Sequence, residues 1–406
     1  MRVVMLGGAG GMGREACRLA AAFPEIDSIV IADTAADAAA GLAAELGPRA
    51  ERVAVDITDR RALERVLTPA DIVVNTVGPY FRFGPPVLRA AIDAGCHYLD
   101  ICDDPEPTLR MLESDALARA AGVTAVIGLG ASPGIVNLLA LLAAAELDEV
   151  RSLTTGWNLE AGTPDPPPAA GVSAAIVHGV EQITGTIPVL RAGRLTYERP
   201  LRRVMIDYPG AGVRPAWTFG HPEAVTLDRA FPGLRDSVNV TFARRSTMAA
   251  VKLLGRAVDR RLLGTERAAR IVQAAERRLP TPPVDDLVHP GELPPLFAHA
   301  VGIRNGRTAT VGATLTALPG TSMAAVTATP LAIGLRLLAA GRVSAPGVHP
   351  PETVIDPTAF FEALAAHCPG TDAGESIVLV TRSWDTAPEA AYRAAIRRAV
   401  ERTPAA

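Results

Sequence analysis

The chain has few cysteines, almost no net charge, no long uninterrupted apolar run and no internal repeat, and each shortage removes a class of protein. Its four cysteines, Cys17, Cys96, Cys102 and Cys368, lie far apart and form neither a C-x-x-C pair nor a metal-ligand spacing. No metal site and no disulfide scaffold is expected, and reduced thiols in the cytoplasm fit best. A net charge of −3, with scattered arginines and no basic stripe carrying interleaved aromatics, gives no footprint for nucleic acid. The most aliphatic stretches are residues 135–147, too short to span a bilayer, and 324–340, which contains Pro330 and Arg336. Both are expected to be buried helices, with no membrane partner. A strand pattern begins two residues after Met1, so no signal peptide is expected.

At 406 residues, with 49% hydrophobic and 20% charged side chains, the chain has core material for two domains. The opening stretch is the most informative. Val3-Val4-Met5-Leu6 is an apolar run of the kind that forms a buried parallel strand. Then come Gly7, Gly8, Ala9, Gly10, Gly11, Met12 and Gly13, followed by a helical pattern with Ala16, Leu19 and Ala20 on one face. Gly8, Gly10 and Gly13 have the G-x-G-x-x-G spacing. The first glycine should permit the tight turn, the second a close approach to a pyrophosphate, and the third close packing of helix on sheet. The amides at the helix start would face the phosphates. A second apolar run, residues 28–32, ends in Asp33, where a carboxylate should accept hydrogen bonds from the adenosine ribose. Residues 34–37 carry no basic side chain, so NAD is the expected cofactor. NADP stays possible if Arg49, Arg52 or Arg60 folds back.

Further apolar runs at 52–56, 71–75, 97–101 and 124–128 alternate with helical patterns at 34–46, 59–67, 84–95 and 113–121. Six such alternations define an α/β fold, a Rossmann-type doubly wound parallel sheet. Ligands in such sheets sit beyond the carboxyl ends of the strands. Asp56 and Ile57 are placed there for the adenine edge, and Asn75, Val77, Gly78 and Pro79 for the nicotinamide ribose. Tyr80, Asp100 and residues 130–132 fall at the same edge. Ser132 reads as the cap of an apolar helix over 135–146. Beyond a stiff proline loop at 164–168, runs at 151–157, 203–207, 238–242 and 308–317 alternate well enough for a mixed sheet. A helical interlude at 247–279 carries arginines that read as a solvated face. From Met323 to Leu338 the pattern is helical again, then a short helix at 360–367, a strand at 375–383 and a closing helix at 390–402.

Taken together, these stretches resemble the saccharopine dehydrogenase-like superfamily, including its lysine 6-dehydrogenase and carboxynorspermidine dehydrogenase branches. The resemblance rests on the glycine turn, on Asn75-Thr76-Val77-Gly78-Pro79-Tyr80-Phe81 with Gly84, and on Gly95-Cys96-His97-Tyr98-Leu99-Asp100. It continues through Gly130-Ala131-Ser132-Pro133-Gly134-Ile135-Val136-Asn137, His221-Pro222-Glu223 and Gly347-Val348-His349-Pro350-Pro351-Glu352. It implies a nicotinamide enzyme acting on a carbon–nitrogen bond of an amino acid or amine, and a homodimer. It also implies a dinucleotide-binding domain over 1–132, an inserted α+β substrate and dimerisation domain over 133–322 built on the mixed sheet, and helices over 323–406 returning to the first domain. Two departures bear on substrate identity: Ile101-Cys102-Asp103-Asp104 replaces the Gly-Glu pair many relatives carry, and Thr154-Thr155-Gly156-Trp157 replaces a cysteine-glycine-rich segment.

Hydride exchange at an imine also needs a proton exchanged at nitrogen and a hold on the substrate. Asp100, His221 and His97 are the candidates for the proton. Tyr80, Ser132 and Asn137 are the candidates to bind substrate, Ser132 together with the amides of the helix start after Pro133. The competing expectations are an enoyl or carbonyl reductase on the same scaffold, and a nucleotide sensor without chemistry.

Overall fold

The computed structural model describes residues 1–161, 172–276 and 292–402. The proline loop at 164–168 and the end of the helical interlude at 277–279 lie outside the described residues. The chain opens with β1 (Arg2–Leu6), α1 (Gly11–Ala21), β2 (Ser28–Asp33), α2 (Ala36–Leu46), β3 (Ala50–Ala54) and α3 (Arg60–Leu67). It continues with β4 (Ile72–Asn75), α4 (Tyr80–Ala94), β5 (His97–Asp100), α5 (Pro105–Leu112), α6 (Asp115–Ala120) and β6 (Thr124–Val126). Next come α7 (Ile135–Ala144), β7 (Glu149–Asn158), α8 (Ala174–Glu181), β8 (Ile187–Arg191), β9 (Arg194–Glu198), β10 (Arg203–Tyr208) and β11 (Gly212–Phe219). After these run α9 (Glu223–Ala230), β12 (Asp236–Phe242), α10 (Arg245–Asp259), α11 (Thr265–Glu276), β13 (Leu296–Arg304) and β14 (Arg307–Leu315). The chain ends with α12 (Met323–Ala339), β15 (Gly347–His349), a 3-10 turn (Pro351–Thr353), α13 (Pro357–Ala365), β16 (Val378–Arg382) and α14 (Pro388–Arg402).

These elements form two compact units, Met1–Gly134 with Met323–Asp356, and Ile135–Ser322 with Pro357–Ala406. In the first unit seven parallel strands run in the order β15-β6-β5-β4-β1-β2-β3. The six expected strands are all present, and β15 adds a seventh beside β6. Val3, Val4, Met5 and Leu6 are all buried, which is why β1 shows no alternation: helices cover both faces of the sheet. The Asp59 side chain caps α3 by accepting from the Arg61 and Ala62 amides, and Gly95, left-handed at φ 73°, ends α4. The returning helix α12 packs along α1, its Arg336 guanidinium 5.4 Å over the Phe23 ring.

In the second unit the sheet runs β10-β11-β12-β7-β13-β14-β16, with the β8–β9 hairpin hung on β12. It is mixed, because β12 pairs with β7 in parallel whereas the other neighbours are antiparallel. Two-residue turns close two hairpins: Asn305-Gly306 between β13 and β14, and Ala192-Gly193 between β8 and β9, all with positive φ. Tyr208 packs on Phe297 at 5.6 Å and on Tyr392 at 5.9 Å, and the Tyr392 hydroxyl donates to the Glu292 carbonyl at 2.5 Å. That contact set ties α14 to this sheet.

Several boundaries differ from the sequence reading. Residues 357–402 pack with the second unit rather than returning to the first, since β16 pairs with β14 and α14 joins the Tyr208 core. The third strand lies at Ala50–Ala54, two residues early, and α4 begins at Tyr80, ahead of Gly84. The helical interlude is two helices, broken where Arg261 takes a positive φ of 58°. Ser132 stands three residues before α7, with Pro133 and Gly134 between, rather than directly ahead of its first residue. Among the described residues no helix is long and apolar enough to cross a membrane.

Candidate functional site

The glycine turn joins β1 to α1. The positive φ that turns the chain is at Gly7, 73°, one residue before the Gly8 expected to do this. Gly8 is glycine for lack of room: a Cβ there would stand 2.9 Å from the Met5 carbonyl oxygen. Gly13 is more constrained, because a Cβ would collide with the Gly7 carbonyl oxygen and lie 2.8 Å from the Gly8 Cα. Its bareness lets α1 start against the turn. Gly10 and Gly11 are exposed, no side chain caps α1, and nothing lies within 4 Å of where a Gly11 side chain would begin. The first-turn amides are therefore left without a side-chain cap at an exposed helix start, a chemistry that fits a pyrophosphate. Asp33 closes one side. Its carboxylate accepts the Ala9 amide at 3.0 Å and the Ala35 amide at 2.9 Å. Each oxygen keeps acceptor capacity for a ribose hydroxyl.

Next to the turn, Leu6 pairs with Asn75, and Asn75 with Asp100, so the ends of β1, β4 and β5 are adjacent. Asn75 is fully buried; its Oδ1 accepts the Val77 amide at 3.0 Å, and its Nδ2 donates to the Tyr98 hydroxyl at 3.1 Å. Thr76 donates its hydroxyl to the Leu6 carbonyl at 2.9 Å. The loop through Val77, Gly78 and Pro79 is thereby held against the glycine turn. Tyr80 is buried, and its hydroxyl donates to the Asn75 carbonyl at 2.8 Å, so the residue expected to meet substrate instead braces this loop.

Asp100 is fully buried and accepts three hydrogen bonds: from the Tyr98 hydroxyl at 2.8 Å, the Cys102 amide at 3.0 Å and the Gly128 amide at 2.7 Å. Burial pushes its pKa up to about 6, and the three donors oppose that rise. His97 begins β5, at the amino edge of the sheet and away from the glycine turn; its Nδ1 accepts the Thr124 amide at 3.0 Å, and burial lowers its pKa. It is a strand-pairing residue remote from the cradle. The exposed Asp56 carboxylate turns onto its own loop and accepts the Thr58 amide and hydroxyl at 2.9 and 2.7 Å, while Ile57 packs against the core. Arg49 and Arg60 do not fold back to Asp33. Arg49 donates to the Ile26 and Ala21 carbonyls, and Arg60 to Glu64.

The second unit holds a buried polar cluster. His221 follows β11 and stacks on Trp157, centroids 5.5 Å apart and planes 9° from parallel, with Phe219 edge-on at 5.0 Å. Its Nδ1 is 3.8 Å from Glu223 Oε1, and Glu223, the first residue of α9, is fully buried. Asn239 Nδ2 donates to Glu223 Oε1 at 3.1 Å and to Thr155 Oγ1 at 3.0 Å. The helix N-terminus and the amide donor offset the cost of burying a carboxylate. Thr155, Trp157 and Asn239 were not singled out from the sequence as site residues; the available signal was a polar side chain between Val238 and Val240. Asn137 is fully buried in α7, and Ser132 is half-buried in the turn closed by the Gly130 amide donating to the Pro133 carbonyl. All four cysteines are buried and free, and burial raises Cys17 to about 12, Cys96 to about 11 and Cys368 to about 12. None offers a thiolate near neutral pH.

A parallel sheet in this strand order, an open glycine turn and a ribose-side acid define the first unit as a Rossmann-type dinucleotide-binding domain. Residues 3–126 match the family model described as the saccharopine dehydrogenase NADP binding domain. Among curated relatives, carboxyaminopropylagmatine dehydrogenase of Synechocystis sp. is 26% identical over 247 residues, 58% of this chain and 61% of that protein. The NADP-dependent, L-glutamate-forming saccharopine dehydrogenase of Saccharomyces cerevisiae is 34% identical over 149 residues, 36% of this chain and 30% of that protein. The chain thus matches less than two thirds of the length of either relative. The solved structure of the apo yeast L-glutamate-forming enzyme covers 94% of this chain and 99% of its own, with TM-score 0.59 and 17% identity, a likeness of fold.

Proposed function

We propose that the chain is an NAD(P)-dependent oxidoreductase acting on a CH–NH bond of an amino acid or amine. The observation that carries this reading is the uncapped start of α1 over exposed Gly10 and Gly11, with Asp33 tied to Ala9, in a domain of saccharopine dehydrogenase type. The names of both relatives support the reaction class, one forming L-glutamate and the other named for a carboxyaminopropyl compound.

In this reading the first-turn amides of α1 hold the pyrophosphate and Asp33 accepts from the adenosine ribose. Asn75, by holding the Val77 amide, sets the 77–79 loop that flanks the nicotinamide end. Bound nicotinamide supplies hydride exchange at the substrate carbon. The chain must supply the proton exchanged at nitrogen, and we assign that role to His221. Trp157 and Phe219 hold its ring, and the Glu223 carboxylate stands against Nδ1. Asp100 acts as an anchor of the strand ends rather than as the proton carrier, because three donors already engage it. Ser132 remains the candidate to meet a substrate carboxylate. A homodimer in the cytoplasm completes the proposal, checked by sedimentation and by cell fractionation.

The test incubates purified protein with NADH or NADPH and a panel of amines and keto acids. Loss of the nicotinamide absorbance only when amine and keto acid are both present supports reductive condensation. Binding of the dinucleotide with no turnover of any C–N or carbonyl compound would return the chain to the sensor reading.

A further inference from the structure

In the hairpin hung on β12, β9 pairs with β8 and with no other strand among the described residues. The two-residue turn Ala192-Gly193 makes Arg191 and Arg194 a hydrogen-bonded pair. The ladder alternates from there, so Val189 with Thr196 and Ile187 with Glu198 are bonded as well. Leu195 and Tyr197 fall between, and turn their N–H and C=O groups away from β8. Leu190, which faces Leu195, agrees with this, because its own outer edge meets Ser237 of β12. Among the described residues no backbone partner takes up the N–H and C=O groups of Leu195 and Tyr197. Their side chains share one face and are 46% and 63% exposed. A bare edge that also shows apolar side chains invites a further strand.

We propose that β9 takes up β9 of a second copy, antiparallel about a two-fold axis at Thr196, so that one sheet runs through two molecules. The proposal deepens the homodimer put forward above, on which it rests, and is independent of the reaction assigned there. The occupant follows from the order of residues in β9, Arg194-Leu195-Thr196-Tyr197-Glu198. Folded on its centre, that order is complementary to itself. Leu195 meets Tyr197 of the second copy on the exposed face. Each such pair exchanges two backbone hydrogen bonds, which satisfies every group the hairpin leaves bare. On the opposite face Arg194 meets Glu198 of the second copy. Within its own hairpin Arg194 stands across from another cation, Arg191, and it makes no ion pair among the described residues. Glu198 holds Arg191 at 3.1 Å and Arg202 at 2.9 Å, and a carboxylate has acceptor sites for a third donor. A parallel pairing in register would instead set Arg194 beside Arg194, like charge against like.

The experiment sediments the full chain over a range of concentrations, with Tyr197→Lys as the edge-breaking variant and thermal melts to confirm that each variant is folded. Thr196→Cys gives an independent reading, because the axis brings the two copies of residue 196 face to face and all four natural cysteines are buried. Leu262→Cys, at a position 76% exposed between α10 and α11, controls for chance collision. The expected result is a wild-type dimer that exchanges with monomer on dilution, since the paired strand is short. Tyr197→Lys should raise its dissociation constant about tenfold or more, through the loss of both Leu195–Tyr197 pairs. Under mild oxidation Thr196→Cys should form a disulfide-linked dimer faster than Leu262→Cys does. A dimer that Tyr197→Lys leaves unchanged, or a Thr196→Cys chain that cross-links no faster than the control, overturns the pairing and leaves the homodimer to another surface. Wild type that stays monomeric at every concentration brings down the homodimer and this proposal together, and leaves the dinucleotide reading intact.

Discussion

Asp100 accepts the Gly128 amide at 2.7 Å and so ties the end of β5 to the chain leaving β6. The same carboxylate holds Cys102, and through Tyr98 it reaches Asn75. A strand-end acid expected to carry the proton is therefore the knot of the carboxyl edge. In Asp100→Asn, one amide Nδ2 must face donors that now meet a carboxylate oxygen. Unfolding in urea at pH 7.5 should show a loss of about 2 kcal/mol. An unchanged midpoint and slope would mean these bonds are not felt.

Asp33→Ala should raise the Michaelis constant for NAD about tenfold or more and leave kcat within about threefold, because the ribose contact is equally present in ground and transition states. A Michaelis constant that does not move would show that Asp33 serves the turn alone, through Ala9 and Ala35.

His221→Ala should lower kcat at least about tenfold with a smaller change in the Michaelis constant for substrate. Glu223→Gln keeps the shape of the buried cluster and removes the charge facing Nδ1. It should displace the pH profile of kcat rather than abolish turnover. Near-normal turnover of His221→Ala across the pH range would remove His221 from the mechanism.

His299 gives a prediction about stability. It is buried in β13, one nitrogen 3.0 Å from the Asp207 carbonyl, and burial lowers its pKa to about 4 from 6.5. The folded form resists protonation that the unfolded chain accepts. The contribution of His299 is thus complete above pH 6.5 and is lost as pH falls toward 4, with roughly 3 kcal/mol at stake. Asp100 has the opposite sign, since its raised pKa favours the fold below 3.8 and that benefit is lost as pH rises through about 6. Comparing wild type with His299→Gln at pH 7.5 and pH 4.5 isolates the histidine. The wild type should lose more stability on acidification, and equal losses would contradict the assignment.

The sequence alone was enough for the dinucleotide-binding unit, down to most strand ends. Val3 to Leu6, the glycine spacing and Asp33 act through local geometry: a buried strand, a turn without room for side chains, and an acid at the next strand end. Local rules also had more to offer in the second unit, where Asn305-Gly306 marks a hairpin that the alternation of 308–317 shows only in half. Pairing between distant segments was beyond such rules. Thr155 and Asn239 meet across strands 84 residues apart, and their hydrogen bonds turn Glu223 into part of a buried cluster. The last fifty residues carry helical and strand patterns that would suit either unit, and only Tyr392 against Tyr208 and β16 against β14 decide which.

The amino-acid order by itself determined that a dinucleotide cradle forms, because each part of it lies within one strand–turn–helix–strand passage and follows from sterics over a few residues. Tertiary structure decided what the polar residues do there. His97 and Asp100 share one short strand and the same candidate role on paper, yet one ends at the amino edge and the other at the carboxyl edge, locked by three donors. The direction of a parallel strand and the partners waiting at its end are properties of the assembled sheet, and they set whether an acid is free to react or bound to hold the fold.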